Sequence, residues 1–146
     1  ANRRDAFVGS DFTYRDIIGH RVADWTHRLT GEEAVNGRPA WIVESLPRSP
    51  VVQTNTGYSR RVQWIDKENY VATRGEAYDD GGRLLRRFAA SDIRLVDPAA
   101  RRFQPMTMEA QNVQSNHRTV IRFENFRANQ GMSAEFFTTR YMERDE

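Results

Sequence analysis

Apolar and polar positions alternate along most of the chain, and the alternation is broken at regular intervals by turn residues. Side chains on a strand point to opposite faces with a period of two, so this pattern predicts half-buried β-strands rather than amphipathic helices. The clearest stretch is Tyr58–Phe88. Tyr58, Val62 and Trp64 are predicted on one side of its first run, with Ser59, Arg61 and Gln63 on the other. Asp66-Lys67-Glu68-Asn69 turns the chain, Tyr70–Tyr78 runs back, Asp79-Asp80-Gly81-Gly82 turns it again, and Arg83–Phe88 returns. Turn chemistry between alternating runs is the signature of a β-meander.

The flanking segments extend that sheet. Ala23–Val35 reads as a strand with Trp25, His27 and Leu29 on one face. Asn36-Gly37 is a type I′ turn signal, since both residues tolerate positive φ. Pro39–Leu46 returns with apolar residues on both sides: Trp41 and Val43 on one, Ala40 and Ile42 on the other. Pro47–Gly57 is predicted to be a loop, because its two prolines withhold ladder donors. Ser91–Val96 continues the sheet, and Phe103–Ala110 puts Met106, Met108 and Ala110 on one face, with Pro105 marking an edge or a bulge. Arg118–Phe126 aligns Thr119, Ile121 and Phe123. Two short helices complete the expectation. One lies within Phe7–Gly19, capped by Ser10 or Asp11 and ended by Gly19. The other is Ala134–Met142, where Phe137 and Tyr141 share a face. The predicted fold is mainly β: an antiparallel meander of seven or eight strands forming an open, incomplete β-barrel with two short helices.

Composition narrows the function classes. With 146 residues, one domain spanning 1–146 is expected. Apolar content is 38%, but 3 Trp, 8 Phe and 5 Tyr give it an aromatic character that disordered chains lack. A net charge of +2 gives no footprint for nucleic acid. There is no cysteine, so neither disulfides nor thiolate metal sites are available. His20, His27 and His117 have no ligand spacing, and a zinc site needs three or four ligands in a defined geometry, so no metal and no cofactor are expected. His27, beside Trp25 and Leu29, reads as a core histidine. Nearly all of the carboxylates Glu32, Glu33, Asp66, Glu68, Asp79 and Asp80 fall in turns or on strand ends, and no nucleophile elbow, Walker loop or dinucleotide fingerprint is present, so the protein is not expected to be an enzyme. Arg60-Arg61, Arg86-Arg87 and Arg101-Arg102 are three basic pairs, each expected to send one side chain to each face of the sheet.

The ordered segments GSDFTYRD (Gly9–Asp16), LTGEEAVNGRPAWIVESLP (Leu29–Pro47), YSRRVQWIDKENY (Tyr58–Tyr70), YDDGGRLLRRF (Tyr78–Phe88), HRTVIRFENFRAN (His117–Asn129) and FFTTRYMER (Phe136–Arg144) resemble the LolA-like outer-membrane lipoprotein-sorting family across nearly the whole chain. The resemblance implies a LolA/LolB-like incomplete barrel around an apolar cavity for acyl chains. It further implies a periplasmic setting in a Gram-negative bacterium and a task in carrying lipid or lipoprotein between membranes. No signal peptide is present at the N-terminus, so one is expected to have been removed or to lie outside this sequence. Family members have further strands and a helix ahead of the GSDFT-like segment, so the chain resembles the C-terminal part of the fold. An unfinished barrel exposes an edge and an apolar face, and a homo-oligomer is therefore expected.

An apolar ligand requires a mostly apolar pocket with a few polar groups at its mouth. The candidates are Trp25, Leu29, Trp41, Val43, Val62, Trp64, Tyr70, Phe88, Met106, Met108, Ile121 and Phe123. A sheet face that lines a lipid pocket and one that packs a core read identically in sequence. Two functions stand at this point: a periplasmic carrier of lipid or lipoprotein acyl chains, and a non-enzymatic sheet-based interaction or sensor module that meets an envelope protein partner.

Overall fold

The computed structural model describes residues 11–13, 16, 19–124 and 133–140, with Glu124 and the last segment described by backbone alone. Its strands are β1 (Trp25–Val35), β2 (Arg38–Pro47), β3 (Arg60–Asp66), β4 (Ala72–Tyr78), β5 (Leu84–Asp97), β6 (Arg102–Asn112), β7 (His117–Glu124) and β8 (Ser133–Arg140). They pair strictly in chain order into one antiparallel sheet of eight strands. The sheet is open, with β1 and β8 at its two edges. Each hairpin follows from local chemistry. Asn36 and Gly37 take φ of 51° and 80°, the type I′ turn their sequence predicts. Asp66 anchors the β3–β4 turn by accepting from the amides of Glu68 and Asn69. Arg83–Phe88 and Ser91–Val96 merge into the single long strand β5. Asp92 takes φ 52° within it without changing the register, since Ser91 opposes Thr107 and Ile93 opposes Pro105; the shift of this pair falls between Leu95 and Asp97. Pro105 therefore marks no bulge: it pairs in register with Ile93, and the pairs of β6 with β7 begin only at Thr107.

Two segments depart from expectation. Pro47–Gly57 contains a helix, α1 (Pro50–Thr56). The Ser49 hydroxyl accepts from the Val52 amide, Pro50 occupies the first turn where it needs no donor, and Gly57 ends the helix in the left-handed region at φ 78°. The prolines that exclude a strand here are compatible with a helix start. Ala134–Met142, expected to be helical, instead contributes β8 over Ser133–Arg140, with Val120 opposite Phe137 and Ile121 opposite Phe136. The hydrogen-bonding edge of β7 requires a partner, and the Phe-Phe-Thr-Thr run has strong strand propensity. Of the N-terminal helix, Asp16 is helical and Gly19 has φ 99°, as a C-terminal glycine should. The proposed cap Ser10 and the apolar Ile17 and Ile18 lie outside the described residues, as does the tail from Tyr141.

Register sorts the side chains onto two faces. One face carries Trp25, Trp41, Val43, Arg61, Ala77, Arg86, Phe88, Met108, Ala110, Thr119 and Ile121 in continuous cross-strand rows. The segment holding Asp11, Phe12, Thr13, Asp16 and His20 lies on it as a strap, with Phe12 packed into Ala110 and Ile121. The far face carries Ala40, Ile42, Val62 and Trp64, which form a separate small cluster with Val35 and Tyr78. Trp64 is buried there, its indole N–H donating to Glu33 at 2.8 Å and its ring covered by the Arg74 guanidinium at 4.3 Å. Tyr58, expected beside Val62 and Trp64, instead joins Trp25 and Ala77 on the strap face. It precedes β3 and follows the left-handed Gly57, so it is outside the pleat that governs the strand. Trp64→Ala should cost about 3–5 kcal/mol in urea unfolding, the range for deleting a buried aromatic ring. Ser49→Ala should cost only about 1 kcal/mol, the worth of one helix cap.

Candidate functional site

The strap is held to the sheet by a buried polar network, and its construction begins locally. The Thr13 hydroxyl accepts from the Asp16 amide at 3.1 Å, while the Asp16 carboxylate accepts from the Thr13 amide at 2.9 Å. This is the reciprocal bonding of a capping box, with aspartate in the usual glutamate place. One turn later His20 Nε2 lies 3.0 Å from Asp16 Oδ1. The Tyr58 hydroxyl donates to Asp16 Oδ2 at 2.8 Å, and Arg86 donates to the Tyr58 oxygen at 3.2 Å. Arg86 also donates to the Asp11 carbonyl at 2.9 Å. The Asp11 carboxylate meets His117 Nδ1 at 2.7 Å and accepts from the Thr119 hydroxyl at 2.8 Å, and Thr119 in turn accepts from the Asp11 amide.

The electrostatics follow from burial and pairing. Burial pushes the Asp16 carboxyl upward, but its hydrogen bond and charge interaction with His20, with further bonds from Thr13 and Tyr58, outweigh that and hold it below its ordinary value. Burial also drives the Tyr58 phenol far up, with the nearby Asp16 charge adding to the effect, so it stays a donor. The Arg61 guanidinium, over the Trp25 ring at 4.7 Å, is pulled down to about 10 by burial, against the opposing charge of Asp16. The carboxylates of Asp11 and Asp16 and the Tyr58 hydroxyl are partnered within the network, which reads as a clasp rather than a catalytic constellation.

Beside the clasp is a cavity of about 140 Å³, lined by Phe12, His20, Arg61, Gln63, Gly75, Ala77, Phe88 and Met108 among others. Gly75 faces the Phe88 ring, whose Cδ2 lies 3.6 Å from where a Cβ would stand, an ordinary contact distance. Past the strap the same face continues across β1–β3 without such cover. Leu29 is 61% exposed there, Trp41 and Val43 are half-buried beside Ile65, and the Trp41 ring stacks on Tyr70 at 6.2 Å and 11°. Lys67 stands over the Trp41 ring at 5.5 Å and pairs with Glu32.

Of the sequence candidates, Trp25, Leu29, Trp41, Val43, Phe88, Met106, Met108, Ile121 and Phe123 share the strap face. Tyr70 joins them from the β3–β4 turn, at 71% exposure. Val62 and Trp64 are parted from this group by facing the other way. Trp25 is wholly enclosed by Tyr58, Ala77 and the His20 ring. His27 is exposed and hydrogen-bonds Ser45 and the Val22 carbonyl instead of filling a core. A bulge between Leu29 and Gly31 interrupts the regular alternation of β1 there. The three histidines do not converge: among the described residues no three metal-ligating side chains gather. The clasp residues Asp11, Asp16 and Tyr58 were not among the candidates. The readable signals were the Thr13-x-x-Asp16 spacing and the four-residue step from Asp16 to His20.

Because Asp16 is depressed in the fold, the unfolded chain binds its proton more readily. Its stabilisation is therefore fully present above the ordinary value of 3.8 and is lost as pH falls through the lower folded value. Asp16→Asn should cost about 2 kcal/mol at neutral pH, as loss of charge-assisted bonds does. It should also flatten the decline of stability below about pH 4, measured by urea unfolding across pH.

Three solved structures share this architecture. A proposed outer-membrane lipoprotein-sorting domain from Vibrio parahaemolyticus superposes with a TM-score of 0.70 at 25% identity, over 94% of this chain and 50% of its own. A DUF1329 family protein from Desulfovibrio piger gives 0.77 at 27% identity, over 91% and 53%. A LolA superfamily protein from Nitrosomonas europaea gives 0.59 at 15% identity, over 91% and 51%, a likeness of fold alone. The chain thus spans about half the length of the structures it matches. No protein of curated function matches it. A family model described as an uncharacterized protein matches residues 1–144. The chain belongs to that family, and its fold is LolA-like, as the resemblance of its segments implies.

Proposed function

We propose that the protein is a non-enzymatic carrier of the cell envelope that binds lipid or lipoprotein acyl chains on the strap face, in a periplasmic setting. The observation that supports this is the continuity of one apolar surface, from the Phe88–Met108 cavity out to Leu29, Trp41, Val43 and Tyr70, with Lys67 at its rim. Such a surface combines a mostly apolar body with a few polar groups, Arg61 and Gln63 within it and the Lys67–Glu32 pair at its rim. The cavity alone, at about 140 Å³, is smaller than the roughly 300 Å³ at which ligand pockets begin. An acyl chain therefore lies along the open part of the face, with its end toward the cavity. The similarity to a proposed lipoprotein-sorting domain supports the same reading.

A second reading, a protein-interaction module, draws on β1. It stands at the sheet edge with eleven residues, long enough to accept an added strand from a partner or from a second copy.

The geometry separates the three tryptophans: Trp41 on the proposed surface, Trp25 enclosed and Trp64 on the far face. Brominated fatty acid should quench the intrinsic fluorescence saturably. Trp41→Phe should remove most of that quenching and Trp64→Phe little of it. Native mass spectrometry after gentle purification should find lipid on the protein. Absence of both quenching and bound lipid would leave the interaction module as the better reading.

A further inference from the structure

The far face holds a groove of about 510 Å³ between β4 and β7, whose lining includes Arg74, Arg87, Ala89, Glu109, Gln111 and Arg118. Its form follows from two adjacent cross-strand rows. In one, Arg74 lies opposite Ala89, and Ala89 opposite Glu109. In the other, Arg87 lies opposite Gln111, and Gln111 opposite Arg118. Ala89 is the short residue among long ones, so it makes the floor and the arginines make the walls. Arg87 and Arg118 are two strands apart, roughly 10 Å between backbones, within joint reach of one small group held between them.

The three guanidiniums are differently engaged. Arg118 pairs with Glu109. Arg74 covers the Trp64 ring and stands 3.8 Å from Glu33 and 3.7 Å from Glu76. The Arg87 side chain is exposed and makes no ion pair among the described residues, although Glu76 is its cross-strand neighbour. With Arg118 held by Glu109 and Arg74 between Glu33 and Glu76, Arg87 is the guanidinium of the lining that has no ion pair among the described residues. The Gln111 amide lies between Arg87 and Arg118 in the same row.

We infer that this groove binds a phosphate ester, with Arg87 as the principal ligand and Gln111 and Arg118 completing the donors. A carboxylate is satisfied by one planar guanidinium fork, whereas a phosphate offers several oxygens in different directions and up to two negative charges. That matches donors arriving from β5, β6 and β7. The site is on the opposite side of the sheet from the acyl-binding face and stands or falls independently of it. Two sources carry this chemistry, a lipid headgroup at a membrane surface and a soluble ester, and the test distinguishes them.

The intact chain would be titrated with inorganic phosphate and with glycerol 3-phosphate by calorimetry. It would also be floated with phosphatidylglycerol and with phosphatidylcholine vesicles. Saturable binding of glycerol 3-phosphate is expected. Arg87→Gln should weaken it at least about tenfold. Ala89→Leu, which fills the groove without changing charge, should weaken it as much, while Arg28→Gln, elsewhere on the face, should not. Co-flotation with phosphatidylglycerol alone, lost in both groove variants, identifies a headgroup as the source. Binding of the soluble ester without flotation identifies a free one. No saturable binding of any probe, or binding that both groove variants retain, would overturn the inference.

Discussion

The structure depends on one chain of buried hydrogen bonds between the strap and the sheet. A carboxylate withdrawn from water destabilises a fold unless its oxygens are fully partnered. Asp16 meets that condition through Thr13, His20 and Tyr58, and Asp11 through His117 and Thr119. Arg86 joins the two halves by reaching both the Tyr58 hydroxyl and the Asp11 carbonyl. The result fixes the strap at points on the β3, β5 and β7 side of the sheet. Phe12 is thereby set on Ala110 and Ile121, and the His20 ring against Trp25. The apolar packing supplies the stabilisation, roughly 1.5–3 kcal/mol for a ring such as Phe12. The polar clasp gives that packing a single register.

The clasp also divides the strap face into two regions of different character. Under the strap the face is core, with Trp25, Ala110 and Ile121 almost wholly buried. Beyond it, over β1–β3, the same face remains open and keeps Leu29, Trp41, Val43 and Tyr70 accessible to different degrees. A surface of this kind is costly to leave in water unless something covers it, and that is the physical basis for assigning it a ligand. The far face solves its own exposure differently. It encloses a small cluster around Trp64 and Val62 and spreads arginines and glutamates over the rest.

Much of the sheet was legible because strands and hairpins are short-range structures. The Asn36-Gly37 and Asp79–Gly82 turns and the run Met106, Met108, Ala110 each appear where local pattern places them. Two of the three basic pairs split between faces as alternation requires, Arg61 and Arg86 to the strap face and Arg60 and Arg87 to the other, while Arg101 stands in the turn before β6 at φ 51°, outside the alternation. The misread segments are those with two competing local solutions. Ser49-Pro50 both breaks a strand and starts a helix, and Ser133–Arg140 can wind alone or pair with β7. In each case a partner or a cap elsewhere selects between them. The candidate pocket was legible as a set of residue types but not as a side. Val62 and Trp64 have the same apolar character as Val43 and Trp41, and only the pairing of β2 with β3 shows that the two groups point apart.

The sequence by itself determined an antiparallel, LolA-like sheet, its order of hairpins and the residues able to meet an apolar ligand, because period-two alternation and turn chemistry act over a few residues at a time. Tertiary structure alone decided which apolar residues share a face, that Asp11 and Asp16 are clasps and not surface charges, and that Ala89 lies at the bottom of an arginine groove. Those properties depend on register and on contacts between residues as far apart as Asp11 and Thr119, and such distances are bridged only when the strands have paired.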